Sequence, residues 1–377
     1  MSTSTHTLII GASVAGLATA AALGRRQIPY CILERHGDIA APWRSHYHRL
    51  HLHTPKSISH LPFKEFGKNI PRYPSRKQVV DYLDEYRGAF GIEPLFDTEA
   101  RKIRWEGGQW ITETDKGIFR SVNLVIATGV YDKPRSIDCT GIDTFPGPVL
   151  HSGDYVTGKT FSGRKVLVIG FGNSACEIAI DLYEQGAIPS LSVRSPVNVV
   201  PRDVFGIPIL RLSYFLDALP PRIADRLSGP LMRWLIGDIT RLGLQRKSYG
   251  PLEEIRRDGH PPVLDIGTVR HIREGHIKVY GGIDHIDGPT VYFSDWKQGA
   301  FDAIVGAIGY DSGYARLLDV DETRLVDARL PIPRQKYFGV DGLYFCGTRV
   351  SPTGQIRSIC SDAQKIAKHI SLTSSIP

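Results

Sequence analysis

The sequence predicts an α/β fold with two dinucleotide-binding, Rossmann-like units, and three observations support this prediction. An apolar strand, a glycine-rich turn and a helix of small residues follow one another twice, near 5–24 and near 164–187. Between the two repeats, alternating residues and two turn signals predict a β-meander. The chain of 377 residues is also long enough for two or three domains.

The first unit begins with THTLIIG, a β-branched run typical of a buried strand. In the turn GASVAG, Gly11 permits a tight bend and Gly16 lets the helix approach the strand. The helix N-terminus presents N–H groups and a positive dipole to a pyrophosphate. The next strand, PYCILER, carries Glu34, which can accept hydrogen bonds from ribose hydroxyls. Ser13 stands where a second glycine is expected, so the approach to a phosphate is more crowded.

The second unit repeats this pattern with the strand RKVLVIG, the turn GFGNSA at 170–175, a helix and the strand PSLSVRS. When the two second strands are aligned on their prolines, Glu34 corresponds to Arg194. An acid suits a ribose with free hydroxyls, whereas Arg194 and Ser195 can bind a 2′-phosphate. The first unit is therefore predicted to bind FAD and the second NADPH. The alternative for Arg194 is a solvated arginine at a strand end.

The domain organisation follows from the order of these units. Residues 102–131 predict a three-stranded meander that ends in the buried strand NLVIATG. Residues 1–148 and 303–377 are predicted to form the FAD-binding domain, and residues 149–302 the NADPH-binding domain. A helical insertion is expected within the second domain at about 203–260.

The helical insertion allows three interpretations. Its apolar residues with interleaved arginines, interrupted by Pro220 and Pro221, predict short amphipathic helices. Such helices could lie on a membrane surface, pack over the active site or form a homodimer contact. Packing over the active site is favoured because each helix is short.

Composition narrows the classes of function. The net charge is +7, but the basic residues are dispersed and no helix-turn-helix pattern occurs, so a nucleic-acid partner is not predicted. The five cysteines form no Cys-x-x-Cys pair, which argues against a zinc ribbon or a dithiol reductase and favours reduced thiols in a cytoplasmic protein. The uncharged run at 5–24 lacks a basic leader, and no membrane anchor is expected.

Longer motifs resemble those of the class B flavin-containing monooxygenases, and especially the plant YUCCA-type enzymes. The segment FPGPVLHSGDY matches the family motif FxGxxxHxxxY through Phe145, Gly147, His151 and Tyr155. By this resemblance, His151 is expected to be a structural linker residue rather than a base.

Further segments extend the resemblance over most of the chain. ATG at 127–129 matches one linker motif, and AIGY at 307–310 resembles a second, although Ile308 replaces the usual threonine. The stretches at 189–206 and 250–279 are similar to YUCCA-type sequences.

The resemblance implies a reaction. NADPH reduces FAD, and O2 adds to the reduced flavin to give a C4a-(hydro)peroxy adduct that transfers one oxygen atom to an organic substrate. For YUCCA-type enzymes the substrate is indole-3-pyruvate and the product indole-3-acetate, a step of auxin biosynthesis. Two alternatives stay open: oxidation of sulfides, amines or ketones, and NADPH oxidation without substrate oxygenation.

The histidine-rich stretch HYHRLHLHTPK at 46–56 aligns, by the same resemblance, with the family segment that passes over the flavin. His53 is predicted to donate a hydrogen bond to the flavin peroxide or to bound NADP+, and His51 and Lys56 are predicted to assist catalysis. A straight strand would place His46 and His48 on one face and the other two histidines on the opposite face. No Asp, Glu or Cys lies between 46 and 60, so no metal site is predicted.

The remaining predictions are sets of cofactor-binding residues. The predicted FAD residues are Gly11, Ser13, Ala15, Gly16, Glu34, Arg35, Trp43, Arg49, Leu52, Ala100, Thr128, Gly129, Gly347, Gln355 and Ile356. The predicted NADPH residues are Gly170, Gly172, Asn173, Ser174, Arg194, Ser195, Ile308, Gly309 and Tyr310.

Overall fold

A computed structural model describes residues 2–216, 219–311, 314–319, 340–348, 351 and 354–373. The chain divides into two compact units. The first contains residues 1–44, 54–133 and 311–377, and the second contains residues 45–53 and 134–310. Residues 320–339, part of the predicted C-terminal portion of the FAD-binding domain, lie outside the described residues.

Twenty strands occur in the described chain. They are β1 (Ser2–Ile10), β2 (Tyr30–Leu33), β3 (Ala100–Glu106), β4 (Gln109–Thr114), β5 (Gly117–Ile126), β6 (Lys133–Pro134), β7 (Val149–His151), β8 (Lys165–Ile169), β9 (Ile188–Ser192), β10 (Val199–Pro201), β11 (Asp203–Val204), β12 (Ile207–Pro208), β13 (Val263–Asp265), β14 (Lys278–Tyr280), β15 (Ile283–Asp287), β16 (Thr290–Phe293), β17 (Gln298–Ala300), β18 (Ala303–Gly306), β19 (Tyr310–Asp311) and β20 (Leu343–Phe345).

The described α-helices are ten. They are α1 (Val14–Gly24), α2 (Ala41–Ser45), α3 (Arg76–Ala89), α4 (Asn173–Glu184), α5 (Ile209–Leu216), α6 (Pro221–Ile236), α7 (Pro251–Asp258), α8 (Thr268–Arg273), α9 (Tyr314–Leu317) and α10 (Gln355–Thr373). Single 3₁₀ turns connect several of these elements, among them Lys56–Ile58 and Ile142–Thr144.

The first unit is built on a six-stranded sheet with the order β2-β1-β5-β4-β3, to which β20 adds beside β5. β5 joins two kinds of sheet. β5 pairs parallel with β1 along most of its length. On its other side, the first half alternates between buried and exposed residues and pairs antiparallel with β4, whereas the last four residues are all buried and residues 124–126 pair parallel with β20. The change follows because a parallel strand is covered on both faces. The predicted three-stranded meander is confirmed as β3-β4-β5.

Helix α1 is buried from Val14 to Leu23 and packs against α10 within the first unit. Its alanines and glycines leave room for this close approach, as expected for a helix beneath a parallel sheet. Helix α3 begins with a capping box, in which Ser75 and Gln78 satisfy each other's main-chain N–H groups.

The second unit contains a five-stranded parallel sheet with the order β14-β9-β8-β18-β7. A hydrophobic cluster that includes Val168, Ile178, Leu191 and Val305 lies between this sheet and α4. The order reproduces the strand–turn–helix–strand repeat predicted from the sequence, because β8, α4 and β9 follow one another with β8 and β9 paired in parallel.

The unit boundaries differ from the predicted domain boundaries at 148/149 and 302/303, since the structure changes units at 133/134 and 310/311. Packing explains the first difference. Phe145 is buried in a hydrophobic cluster with Leu167, Ile286 and Phe293, which are residues of the second unit. The loop before β7 therefore belongs to the second unit, as does the separate segment 45–53.

The predicted insertion at 203–260 contains the β11–β12 hairpin and helices α5, α6 and α7. Helix α6 exposes Ile223, Leu227, Leu231 and Trp234, which recur at helical spacing along one side. Among the described residues, no helix combines the length and the apolar character needed to cross a bilayer.

Candidate functional site

The first glycine-rich turn is sterically closed to larger residues. Gly11 has a φ of +101°, and a Cβ on it would lie 2.9 Å from the carbonyl oxygen of Ala127, which directly follows the neighbouring strand β5. A Cβ on Gly16 would lie 1.9 Å from the carbonyl oxygen of Gly11. Both positions therefore require glycine, for the turn and for the helix approach that the sequence indicated.

The N-terminus of α1 is suited to an anion. Ser13 is the N-cap residue, but its side chain makes no capping hydrogen bond, and no acid lies in the first turn. The first turn, which includes Ala15 and Gly16, therefore directs main-chain N–H groups outward without an internal acceptor. A pyrophosphate can accept hydrogen bonds from such groups.

Glu34 lies where the sequence predicted, directly after β2. Its carboxylate is buried and accepts hydrogen bonds from the main-chain N–H of Ala12 at 2.8 Å and of His36 at 3.0 Å. These bonds fix the carboxylate beside the glycine-rich turn. Each oxygen has a further lone pair that can accept a ribose hydroxyl.

Three more predicted FAD residues converge on the same turn. Thr128 follows β5, and its buried Oγ1 has no hydrogen-bond partner among the described residues. Gly347 has a φ of +78°, and its Cβ would lie 3.1 Å from the Cβ of Ala15. Gln355, at the start of α10, donates from Nε2 to the carbonyl oxygen of Gly347. A buried hydroxyl without a partner, beside a turn that excludes side chains, fits a dinucleotide bound there.

The other predicted FAD residues of the first unit have structural contacts. Arg35 is exposed and pairs with Asp132 at 2.8 Å. Ala100 begins β3 in register with Thr114, and Ile356 is buried in the first turn of α10. The remaining two, the half-buried Trp43 of α2 and Gly129 with a φ of +73°, also belong to this unit.

The second glycine-rich turn repeats the construction of the first. Gly170 has a φ of +117°, and its Cβ would lie 2.6 Å from the carbonyl oxygen of Ala307. Gly172 is the N-cap residue of α4 and provides no capping side chain. Asn173 uses its Oδ1 to accept the N–H of Leu264 at 2.8 Å, which ties the turn to β13, and Ser174 follows it in the first turn. The helix N-terminus is thus open to an anion as well.

Arg194 and Ser195 line a cavity of about 160 Å³ together with Val193, Gly243, Gln245, Gly281, Gly282, Ser294 and Asp295. Arg194 is exposed, and no side chain among the described residues forms an ion pair or hydrogen bond with its guanidinium. The acid in the wall, Asp295, is paired with Lys297 at 2.8 Å. An arginine without a partner at the end of β9 is suited to a phosphate group.

Residues of the motif FxGxxxHxxxY make packing and hydrogen-bond contacts within the second unit. A Cβ on Gly147 would lie 2.3 Å from the carbonyl oxygen of Asp302. The Tyr155 hydroxyl donates to Asp181 of α4 at 2.6 Å, and burial together with this carboxylate raises the pKa of Tyr155. The phenol therefore stays protonated and holds its partner in place.

His151 of the same motif has both ring nitrogens occupied by the main chain. Its Nδ1 accepts the N–H of Gly153 at 3.0 Å, and its Nε2 lies 3.1 Å from the carbonyl oxygen of Gly309. The ring also contacts Tyr310 edge-on at 4.7 Å, next to the half-buried Ile308. These contacts agree with a structural linker residue, and they place the predicted AIGY residues within the second unit.

The stretch 46–56 is not a strand, so the expected alternation of faces for its histidines is wrong. Tyr47 is buried in the core of the second unit, and the main-chain N–H of His48 donates to Val156. These two contacts hold the segment in an irregular loop conformation.

His53 contacts a buried carboxylate that the sequence analysis did not single out. Its Nε2 lies 3.2 Å from Oε2 of Glu177, a residue of α4 that is only 1% exposed. The same oxygen accepts the hydroxyl of Tyr47 at 3.0 Å, and burial and Glu177 raise the pKa of Tyr47. A neutral His53 that donates through Nε2 presents Nδ1 as an acceptor, and a doubly protonated His53 donates from Nδ1.

Arg49 and Leu52, predicted to contact FAD, lie in the second unit rather than with the other predicted FAD residues. Arg49 binds Glu184 through Nε at 2.8 Å and through Nη2 at 2.9 Å, and its Nη1 is 3.6 Å from Glu177. Leu52 is buried. In this arrangement the guanidinium neutralises the carboxylates of α4.

The two other predicted catalytic residues have main-chain partners. His51 is exposed, and its Nδ1 lies 2.6 Å from the carbonyl oxygen of Arg49. Lys56 donates to the carbonyl oxygens of Gly67, Lys68 and Ile70, which uses all three N–H groups of the ammonium. Catalytic roles for His51 and Lys56 stay predictions.

The buried acids of α4 could have been found from the sequence. SACEIAIDLYE places Glu177 and Asp181 four residues apart among apolar residues that are predicted to be buried. Carboxylates on a buried helix face need partners, because an unpaired buried charge is costly. What the sequence could not give is the identity of those partners, which lie in distant segments.

A larger cavity, of about 510 Å³, lies in the helical insertion beside α6 and α7. It contains none of the predicted site residues. Three of its basic lining residues are paired with acids: Arg222 and Arg257 with Glu253, at 3.3 Å and 2.8 Å, and Lys247 with Glu254 at 2.8 Å.

Comparison of the sequence with known families and proteins gives consistent results. The profile of the family described as pyridine nucleotide-disulphide oxidoreductase matches residues 8–200. The chain is 37% identical over 371 residues to the indole-3-pyruvate monooxygenase YUCCA1 of Oryza sativa subsp. japonica, covering 96% of this chain and 90% of the relative. It is 39% identical over 380 residues to the indole-3-pyruvate monooxygenase YUCCA6 of Arabidopsis thaliana, covering 97% and 90%.

Two solved structures share the fold. A flavin-containing monooxygenase from Stenotrophomonas maltophilia is 18% identical with a TM-score of 0.72, covering 99% of this chain and all of the other. Cyclohexanone monooxygenase from Rhodococcus sp. Phi1, bound to NADP+, is 17% identical with a TM-score of 0.76, covering 99% of this chain and 85% of the other. The matched family's name refers to disulphide chemistry, for which this sequence has no Cys-x-x-Cys pair.

Proposed function

The chain belongs to the pyridine nucleotide-disulphide oxidoreductase family and, within it, to the flavin-dependent monooxygenases of the YUCCA type; on this premise we propose that it converts indole-3-pyruvate to indole-3-acetate. Its cofactors are FAD and NADPH. One observation carries the proposed substrate: relatives named as indole-3-pyruvate monooxygenases are similar over 96% of the chain.

The proposed reaction is an oxidative decarboxylation. Indole-3-pyruvate, O2, NADPH and a proton give indole-3-acetate, CO2, NADP+ and water. One oxygen atom of O2 enters the new carboxylate, the bond between the keto carbon and the original carboxylate breaks, and the other oxygen atom leaves as water. When bound, FAD carries electrons from NADPH to O2 and activates the oxygen for transfer.

The first unit has the residues to hold FAD. We assign the pyrophosphate to the N-terminus of α1 after Gly11, and a ribose to the Glu34 carboxylate. Thr128 offers a buried hydroxyl without a partner among the described residues. Gly347 has no side chain to crowd Ala15 in the first turn of α1, since a Cβ on it would lie 3.1 Å from the Cβ of Ala15. This assignment makes the first unit the FAD-binding domain.

The second unit has the residues to hold NADPH. The N-terminus of α4 after Gly170 would take the pyrophosphate, and the cavity lined by Arg194 and Ser195 would take the 2′-phosphate. The guanidinium of Arg194 distinguishes NADPH from NADH, because only the former carries a group with which it can pair.

His53 is the proposed catalytic residue of the chain. We propose that its Nδ1 meets the reacting groups, since its Nε2 is held by Glu177 at 3.2 Å. The buried carboxylate of Glu177 fixes the orientation of the ring. Lys56 is assigned to holding the loop 67–70, and His51 to a contact with the main chain of Arg49.

The lack of disulfides supports a cytoplasmic location. None of the five cysteines forms a disulfide in the structure, and burial raises the pKa of Cys360 to about 12, so this thiol is unreactive at neutral pH.

The test is a measurement of O2 uptake and NADPH oxidation by the FAD-loaded protein with and without indole-3-pyruvate, with detection of indole-3-acetate. Substrate-stimulated uptake with one product molecule per NADPH is expected. Stimulation by sulfides, amines or ketones but not by the 2-oxo acid would favour the first alternative. NADPH oxidation that yields only hydrogen peroxide with every substrate would favour a flavoprotein without oxygenation.

A further inference from the structure

A cluster of metal-ligating side chains lies in the second unit, in the turn between α8 and β14. The Nδ1 atoms of His271 and His276 are 3.3 Å apart, and Nδ1 of His276 is 3.3 Å from Oε2 of Glu274. All three ligand atoms lie within 4.8 Å of one another. Among the described residues, this is the cluster of His, Cys, Asp and Glu side chains that could hold a metal ion.

The turn brings the three side chains together within six residues. The main-chain N–H of His276 donates to the carbonyl oxygen of His271 at 2.9 Å, which closes the loop after α8. Gly275 has a φ of +78° and supplies the left-handed conformation that reverses the chain. The site is therefore formed locally, and it does not depend on a distant segment.

The observed spacings agree with those around a tetrahedral cation. For Zn²⁺ with bonds of about 2.0–2.1 Å to nitrogen, two ligand atoms at a tetrahedral angle lie about 3.3–3.4 Å apart. Both 3.3 Å distances in the cluster agree with this value. Without a metal, the two Nδ1 atoms can form a hydrogen bond only if one carries a proton and the other does not, whereas a cation would accept both lone pairs.

The surroundings orient the imidazoles and leave one side open. The ring of Tyr183 stacks on His276 with centroids 4.4 Å apart and also contacts His271 at 5.0 Å. His271 is buried, whereas the side chains of Glu274 and His276 are 46% and 38% exposed. An ion can therefore enter from solvent, and a water molecule can complete its coordination.

We propose that His271, Glu274 and His276 form a binding site for one Zn²⁺ ion or a similar borderline divalent cation. Two imidazoles and one carboxylate select Zn²⁺, Co²⁺, Ni²⁺ or Cu²⁺ over Mg²⁺ and Ca²⁺, which prefer oxygen ligands. This site adds to the sequence analysis, which considered only the histidines at 46–60 and predicted no metal. An occupied site would link the α8–β14 turn to Tyr183 on α4, the helix of the second glycine-rich turn.

The test uses the full chain with FAD bound, stripped of metal with a chelator. Calorimetric titration with ZnCl2 is expected to show one saturable site per chain, and titration with CoCl2 to give the strong visible absorption of four-coordinate Co²⁺. His276→Ala should weaken Zn²⁺ binding by at least about tenfold, as expected for loss of a ligand. His285→Ala removes an exposed histidine that lies next to a carboxylate, Asp284, but outside the cluster, and should leave binding unchanged.

Glu274→Gln keeps the shape of the side chain and provides a second variant in case His276→Ala folds poorly, which its FAD content reveals. It should also weaken Zn²⁺ binding and reduce the Co²⁺ absorption. Equal Zn²⁺ affinity in wild type and both variants, or weak Co²⁺ absorption typical of six-coordinate ions in the wild type, would overturn the proposal. The outcome is independent of the substrate assignment, since neither titration requires turnover.

Discussion

The two glycine-rich turns share one steric construction and differ in the residue that follows the next strand. Gly11 and Gly170 both have positive φ, and a Cβ on either would clash with the carbonyl oxygen of an alanine that directly follows a neighbouring strand. Glu34 is buried and held by two main-chain N–H groups, whereas Arg194 is exposed beside a cavity. Under the proposed assignment, both turns would hold a pyrophosphate in the same way, and the residue at the end of the next strand would decide which nucleotide binds.

The largest effect is expected from Gly16→Ala in the first turn. The new Cβ would lie 1.9 Å from the carbonyl oxygen of Gly11, and neither main-chain segment can move away without opening the turn. Overpacking of this kind costs about 1–3 kcal/mol or more. The purified variant should contain little FAD, measured by its absorbance per chain, and should unfold at a lower temperature.

Gly24→Ala is the matched control on the same helix. Its Cβ would meet the ring of Tyr30 at an ordinary distance of 3.8 Å, and alanine favours a helix over glycine. This variant should bind FAD fully. A full complement of FAD in Gly16→Ala would contradict the role of the first turn.

A smaller but more selective effect is expected from Arg194→Ala in the second unit. Loss of a hydrogen bond to a charged group costs about 1.5–3 kcal/mol, so the KM for NADPH should rise about ten- to a hundredfold. The KM for NADH should stay near its wild-type value because NADH has no 2′-phosphate. Steady-state kinetics with both nucleotides check this, and equal changes for the two would remove the phosphate assignment.

The next effect concerns the carboxylate that holds His53. Glu177→Gln keeps the size of the side chain but removes its charge, so the ring of His53 loses its fixed orientation. We expect kcat for product formation to fall about tenfold, from the loss of a charge-assisted hydrogen bond, while the KM for NADPH changes little. NADPH oxidation should continue and release hydrogen peroxide instead of product.

Tyr47→Phe is the control for this prediction, since it removes a different partner of the same carboxylate oxygen. It should lower stability without the shift toward hydrogen peroxide. If Glu177→Gln and Tyr47→Phe both release the same share of hydrogen peroxide per NADPH oxidised, the effect comes from the buried cluster as a whole and His53 has no special role.

The smallest effect is expected at the exposed ion pair between Arg49 and Glu184, and it concerns the stability of the protein. The hydrogen bond from Arg49 lowers the pKa of Glu184 below its ordinary value of 4.5. A lowered folded-state pKa means that the stabilisation is present above the unfolded pKa and is lost as the pH falls through the folded value. The pair should therefore contribute fully above about pH 4.5 and progressively less as the pH falls below that value. The whole contribution should be less than about 1 kcal/mol because Glu184 is half exposed.

Urea unfolding at pH 6 and pH 3.5, in wild type and Glu184→Gln, measures this contribution. The variant should be slightly less stable than the wild type at the higher pH, and the difference should be smaller at the lower pH. A difference of the same size at both pH values would show that the side chain acts through packing.

The sequence allowed prediction of those features that depend on neighbouring residues. The turns at Gly11 and Gly170, the meander and the opposed Glu34 and Arg194 all follow from local pattern and strand register. The contact of His53 with Glu177 could not be predicted, because 124 residues separate the partners along the chain. The membership of 45–53 in the second unit likewise depends on Tyr47, whose burial depends on packing around α4.

The chain passes between its two units four times, at 44/45, 53/54, 133/134 and 310/311. No single cut therefore yields either unit intact, and a chimera that exchanges nucleotide specificity with a relative needs more than the contiguous block 134–310. Residues 45–53 must be transferred with that block, since Tyr47, Arg49 and His53 all contact Glu177 of α4. A recombinant that leaves this short segment behind would pair the loop of one parent with the helix of another, and the buried carboxylate would lose the partners that it requires.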